Sequence, residues 1–372
     1  MSPKSEYSTQ STIAIVGAGL VGRLTAWRLL LRGFTVTLFD KSDFFNPLNN
    51  QHKGAAFTAA GMVAPYSEAV VSDANVFAMG LFALEQWPIW LKDLPEGADP
   101  YFFRNGSLAI AHPQDTQELV QFSRELQHII PQHCDYTQLN RQDIHQLEPD
   151  LNNQFQHGLY LPNEGHIHNR LLLERVGEII SQHPNATIYD KCDAKVHHPY
   201  VIVDNLQRSF DLIVDCRGFG AKPQDSRIRG VRGETMYVKT GEITLNRPVR
   251  LMHPRYQLYI VPKPNQMFMI GATQIESEDR SPMSLLSNLE LSSALYTLSP
   301  AFAEARIIET DTNLRPAYND NMPHIEHTPG LIIANGLFRH GYLLAPAVVE
   351  SILGEITGIT APFHDLLVTN AR

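Results

Sequence analysis

The sequence predicts an α/β protein in which a discontinuous Rossmann-like domain carries an inserted α+β domain built on a mainly antiparallel sheet. Three observations predict it. A strand, a glycine-rich turn, a helix and a second strand open the chain over residues 12–39. Apolar strand-like runs return at Leu212–Val214 and at Leu331–Asn335, the second followed by a helical stretch. Between those runs, Arg232–Ala272 reads as short strands in succession, the pattern of an antiparallel sheet. Residues 11–65, 150–230 and 310–372 are therefore assigned to the first domain, and 66–149 with 231–309 to the second.

Each element has its own justification. Thr12–Val16 is an apolar run that stops at Gly17. The helix from about Leu20 to Arg32 places Leu20, Leu24, Trp27 and Leu31 on one face. Gly33 stands where a helix ends, and Thr35–Phe39 is β-branched and aromatic, as a strand requires. Asn75–Leu94 is apolar and helical, with Pro88 expected to kink or split it. Gln114–Ile130 is amphipathic through Leu119, Phe122, Leu126 and Ile130. Glu234–Lys239, Tyr256–Val261 and Met267–Ile270 are the central short strands, and a last helix is expected from about Ala347.

A length of 372 residues suits two domains, and 43% hydrophobic with 19% charged residues is ordinary for a chain with a sizeable core. The net charge of −9 and pI near 6.0 disfavour nucleic acid and anionic membranes as partners. Cys134, Cys192 and Cys216 form no C-x-x-C pair, which argues against a disulfide framework or zinc site and fits a reducing cytoplasm. Residues Met1–Ser11 lack the order of a signal peptide, and no apolar run approaches the roughly 20 residues of a membrane span. The sixteen histidines have no acidic or cysteine partner at ligand spacing, so no metal site is expected.

Gly17, Gly19 and Gly22 form G-x-G-x-x-G at the junction of a strand and a helix. Glycine there permits the tight turn, the approach of a diphosphate to the backbone, and close packing of helix on strand. The helix end adds N–H groups and a positive dipole. Asp40 closes the next strand 18 residues beyond Gly22, where a carboxylate can accept from an adenosine ribose. The fingerprint alone fits NAD or FAD. Its position six residues after Ser11, and the small-residue segment Ala55–Met62 that follows, favour FAD.

Several segments then resemble one family. They are Thr58–Glu68 (TAAGMVAPYSE), Leu258–Pro262, Ile270–Thr273, Asn313–Pro316 with Asp320 and Pro323, and Asn335–Gly341 with Leu344–Ala347. Their order over Ile13–Leu353 is similar to that of the D-amino-acid oxidase superfamily, and within it to the proteobacterial glycine oxidases of thiamine biosynthesis. The resemblance implies non-covalent FAD, since no cysteine lies near Asn313, where sarcosine oxidases attach their flavin. It implies that Tyr259 and Arg315 hold the substrate carboxylate, and that Arg339 is a second arginine at the active site. It implies flavin contacts at Thr58, Ala59, Gly61, Met62, Gly218, Gly336, Gly341 and Leu343, with Met62 and Ala64 beside the substrate Cα. Gln274 and Gln257 depart from the methionine and histidine of a glycine oxidase, leaving the ranking of glycine, sarcosine and D-amino acids open.

The implied activity is oxidation of glycine by dioxygen, with a homotetramer as the implied assembly. The alternatives are a D-amino-acid or sarcosine oxidase, a dehydrogenase using another acceptor, a tRNA-modifying flavin domain, and a non-catalytic flavin scaffold. The acidic pI opposes the third. The presence of Tyr259, Arg315 and Arg339 opposes the fourth.

Overall fold

The computed structural model describes residues 7–49, 52–132, 135–254 and 257–370. The fold is mixed α/β and divides into two compact units, one of residues 1–57, 169–231 and 314–372, the other of 58–168 and 232–313.

The first unit is built on a seven-stranded sheet. Its order is Val368–Asn370, His324–Thr328, Leu331–Asn335, Leu212–Asp215, Thr12–Val16, Thr35–Phe39, Ala186–Tyr189. Thr12–Val16 pairs in parallel with strands on both sides, bringing Val16 level with Asp215 and Phe39. Ile13, Ala14, Ile15 and Val16 are all buried, which is why this strand reads as an unbroken apolar run. Helix Leu20–Leu30 packs against helices Asn169–Gln182 and Gly341–Thr357. It is buried at every position but Arg28. Leu31, expected on its buried face, is instead 49% exposed, because the helix ends at Leu30.

The last helix also departs from expectation. It begins at Gly341, not near Ala347, and contains Pro346. Proline reads as a breaker in sequence, but this one lies in the second turn of a helix whose residues are buried almost throughout.

The second unit centres on an eight-stranded sheet. Its order is Arg306–Ala317, Arg229–Lys239, Met267–Gly271, Gln257–Lys263, Val249–Met252, Ser107–Ala111, His157–Leu161, Thr137–Asn140. From Arg229–Lys239 to Thr137–Asn140 the pairing is antiparallel except between Val249–Met252 and Ser107–Ala111. The period of two is visible in its packing: Leu108, Ile110, Val249 and Leu251 enter one core cluster, while Ala109, Ala111 and Met252 enter another with Phe122 and Leu126. Helix Ala74–Leu91 is continuous through Pro88, so the expected split does not occur. Asp73 caps its start by accepting the Asn75 N–H at 2.8 Å. Trp87 and Trp90 pack edge to face at 5.6 Å beside the proline and are fully buried, which holds the last turn despite the missing N–H. The central strand expected from Tyr256 is observed as Gln257–Lys263; Tyr256, like Cys134, lies outside the described residues.

Candidate active site

In the first unit the glycine turn is a cradle with one open side. Gly17 has φ +101°, donates to Phe39 O at 2.8 Å, and a Cβ there would stand 2.6 Å from Cys216 O. A Cβ on Gly22 would stand 1.8 Å from Gly17 O. A Cβ on Gly19 would meet nothing within 4 Å. Two glycines are thus required by the protein's own backbone, and the third leaves space over the helix end. Gly19 is the N-cap and supplies no side-chain cap, so the first-turn N–H groups are left to an anion from outside. This donor set suits the diphosphate of a dinucleotide.

Asp40 has more work than its sequence position suggests. One carboxylate oxygen takes the Ala18 N–H of the turn; the other takes the Ser42 N–H, at 2.7 Å, and the Ser42 hydroxyl. A carboxylate offers about four acceptor sites, so capacity remains for a ribose hydroxyl.

Arg23 was not singled out from the sequence. It is 1% exposed and donates to Ala18 O at 2.9 Å, Leu173 O at 3.1 Å and Phe44 O at 2.9 Å, with its guanidinium 3.9 Å over the Phe44 ring. Burial lowers its pKa to about 10, against opposition led by Asp40. It therefore keeps its charge while bracing the turn. An arginine directly after the third glycine of an otherwise apolar helix was the available signal.

The other predicted residues of this unit lie at Gly218, Arg315 and in the segment Gly336–Leu343. Gly218 has φ +56°, and its carbonyl accepts from Asn335 Nδ2 at 2.9 Å. Gly336 has φ +87°, and a Cβ there would lie 2.4 Å from the Tyr318 ring. Gly341 opens the last helix beside Leu20, whose Cδ2 would be 3.6 Å from a Gly341 Cβ. Leu343 is buried in the first turn of that helix. The Phe338 N–H donates to Pro316 O at 2.9 Å, which links the segments carrying Arg315 and Arg339. Both arginines are half-buried, and Arg339 Nε is 3.1 Å from His340 Nε2. Cys216 is buried, and burial pushes its thiol pKa up, as a packing residue requires.

In the second unit, Thr58 is a junction. Its hydroxyl donates to Asp311 at 2.6 Å and accepts from Asn313 Nδ2 at 3.2 Å. The Ala59–Met62 segment is held by its carbonyls: Lys263 Nζ donates to Ala60 O at 2.7 Å, and the Ile167 N–H donates to Gly61 O at 2.7 Å. Gly61 has φ +79°. Met62 is half-buried and pairs in register with His166, while Ala64 is buried. Burial first, then Lys263 and His168, holds the His166 imidazole well below its usual pKa, hence neutral. Tyr259 is half-buried on Gln257–Lys263, level with Arg250 and Gly271 on the flanking strands. Its hydroxyl donates to Glu68, a residue the sequence reading had only as the last letter of a motif. Gln274 is exposed.

Among the described residues no group of three or more His, Cys, Asp and Glu is placed to hold a metal ion, and no helix is long and apolar enough to cross a membrane.

Comparison with known proteins extends these findings. A family profile described as FAD dependent oxidoreductase (DAO) matches residues 12–352. The thiamine biosynthesis oxidoreductase ThiO of Rhizobium etli is 36% identical over 341 residues, covering 91% of this chain and 94% of that one. A bifunctional ThiO/ThiG protein of Nostoc sp. is 25% identical over 91% of this chain, which spans 52% of that longer protein. The crystal structure of glycine oxidase from Geobacillus kaustophilus superposes with a TM-score of 0.78 at 21% identity, covering 97% of this chain and 99% of that one. That last likeness shows a shared fold.

Proposed function

We propose, from the premise that this chain belongs to the DAO family of FAD-dependent oxidoreductases, that it is a glycine oxidase serving thiamine thiazole synthesis. Glycine, water and dioxygen give glyoxylate, ammonia and hydrogen peroxide, with sarcosine and small D-amino acids as secondary substrates. The observation that carries this reading is the similarity to ThiO of Rhizobium etli over 91% of the chain. The same reading takes a homotetramer as the assembly. Free thiols at Cys192 and Cys216 support the cytoplasm as its place of action.

Gly17, Gly19 and Gly22 would hold the diphosphate of FAD and Asp40 its ribose. Thr58, Ala59, Gly61, Met62, Gly218, Gly336, Gly341 and Leu343 would supply the remaining contacts. Bound FAD supplies the hydride acceptor. The protein's own contribution is orientation and a prepared electrostatic setting. Arg315 is assigned to the substrate carboxylate, because a planar, permanently charged guanidinium meets it with two parallel bonds. Arg339 adds a second positive charge. Ala64, small and buried, limits the room beside the substrate Cα. The amine reacts in its neutral form, so that the nitrogen lone pair can form the imine bond as the Cα hydride departs. Water then completes the deamination, unless the imine passes directly to thiazole synthesis.

The test is hydrogen peroxide release by the purified yellow protein with glycine, sarcosine, D-alanine and D-proline, run beside a dye-reduction assay. Peroxide release with glycine as efficient as any other substrate is the expected result. Dye reduction without peroxide, or a clear preference for a bulkier D-amino acid, would move the enzyme to a neighbouring branch of its family.

A further inference from the structure

The glycine turn of the first unit is soft by composition and fixed by its partners. Gly17 and Gly19 permit many backbone conformations, so local sterics alone do not set the peptides between them. Each of those peptides is pinned from outside. The Gly17 N–H donates to Phe39 O at 2.8 Å, and the Ala18 N–H donates to the Asp40 carboxylate. The next two carbonyls both belong to Arg23. Its side-chain Nε donates to Ala18 O at 2.9 Å, and its main-chain N–H donates to Gly19 O at 3.0 Å.

The guanidinium is itself held in place. Nη1 donates to Leu173 O at 3.1 Å and Nη2 to Phe44 O at 2.9 Å, so each nitrogen meets a different segment of the chain. The guanidinium carbon lies 3.9 Å from the centre of the Phe44 ring and 5.5 Å from that of Phe57. Gly177 makes room for it: a Cβ there would stand 2.0 Å from Nη1. All of these residues lie in the first unit, and Arg23 is 1% exposed.

In a trans peptide the C=O and the N–H point in opposite directions, and the Ala18–Gly19 and Gly19–Leu20 peptides are both trans. Drawing the Ala18 carbonyl onto the Arg23 side chain therefore turns the Gly19 N–H away from the buried cluster. The Gly19 carbonyl, drawn into the helix, turns the Leu20 N–H out from the helix end. We infer that Arg23 is a positioning residue for the FAD diphosphate, its guanidinium setting the plane of the Ala18–Gly19 peptide and so aiming the donors of the turn. The inference rests on the reading of the glycine cradle as the diphosphate site and adds the residue that orients it. Lysine cannot take this place, because an ammonium on a flexible stem does not hold three carbonyls in a fixed fork.

ADP carries the diphosphate and adenosine does not, so the two separate aiming from general support of the fold. Apoprotein of the full chain is titrated with FAD, read by flavin fluorescence, and ADP and adenosine are measured by competition against it. Arg23→Lys keeps the charge and loses the fork. It should weaken FAD and ADP by the same factor, at least about tenfold, the loss expected for a hydrogen bond to a charged group, and leave adenosine within about twofold. Gly177→Ala keeps the arginine and favours the helix Asn169–Gln182, while its methyl pushes Nη1 aside; it should give the same pattern. An equal loss of ADP and adenosine, or FAD and ADP affinities within about twofold of wild type, overturns the inference; Arg23→Lys decides if it folds, and Gly177→Ala if it does not. Gly22→Ala separates that outcome from failure of the underlying reading. If Gly22→Ala loses ADP, only the Arg23 inference has failed; if it binds ADP as wild type does, the cradle is not the diphosphate site.

Discussion

Arg315 is the residue on which most of the proposed chemistry depends, and its environment is informative. It stands half-buried near the end of the strand Arg306–Ala317, next to Pro316, whose carbonyl ties that strand to the segment of Arg339. A guanidinium held on a strand has less rotamer freedom to lose on binding than one on a loop. Arg315→Ala should raise KM for glycine by about 100-fold, roughly the 3 kcal/mol expected for charge-assisted bonds to a carboxylate. Steady-state kinetics checks it, and an unchanged KM would remove the anchor role. Arg315 was legible in sequence only through its motif. Arg23 and Glu68 were not legible in their roles, because an arginine inside an apolar helix or a glutamate after a serine has no partner until the chain is folded. Leu173, whose carbonyl Arg23 meets, is 150 residues away.

Pro65–Ala69 is a five-residue helix, too short to be stable alone. Its stability comes from its tethers, chiefly Glu164, which also accepts the Ser107 hydroxyl. Burial raises the Glu164 carboxyl from 4.5 to about 7, against the opposing hydrogen bonds of Ser107 and Ser67 and the charge of Arg250. The folded-state pKa thus lies above the unfolded value. The unfolded chain ionises first, so the contribution of Glu164 to stability is full below pH 4.5 and declines as pH rises toward 7. The decline can reach about 3 kcal/mol. Glu164→Gln has no such dependence, so the stability of wild type minus that of the variant should fall across this window. Urea midpoints of both proteins at pH 4.5, 6 and 7.5 measure it. A constant difference would mean that Glu164 does not titrate there. The helix itself was not anticipated from sequence, since Pro65 at its first turn and a length of five residues leave no period to detect.

At the scale of the whole molecule, cofactor and fold should be linked. A ligand that binds only the folded state stabilises it by about 2.7 kcal/mol at a hundredfold excess over its Kd. The melting temperature of the apoprotein should therefore rise with FAD concentration. Gly22→Ala should abolish that rise, because the added methyl would stand 1.8 Å from Gly17 O and the turn cannot form around it. Thermal scans of both apoproteins over a range of FAD concentrations give the answer. A normal FAD response in the variant would mean that the cradle is not the diphosphate site.

Sequence alone determined what depends on local backbone and composition. The fold class followed from periodicity, and the cofactor turn followed from three glycines, because a close approach or a left-handed φ admits few other residues. The family followed from motifs spread along the chain. Helix ends were less legible: Leu31 fell outside its helix, and Pro88 and Pro346 fell within theirs, since burial overrides local propensity. Only the tertiary structure decided how Asp40 is shared between the glycine turn and Ser42, what braces Ala18, and where the proton of Tyr259 points. Those are pairings between side chains and backbone atoms set by sheet register and helix packing. A hydrogen bond is made or lost within a few tenths of an ångström, and no spacing along a chain carries that information.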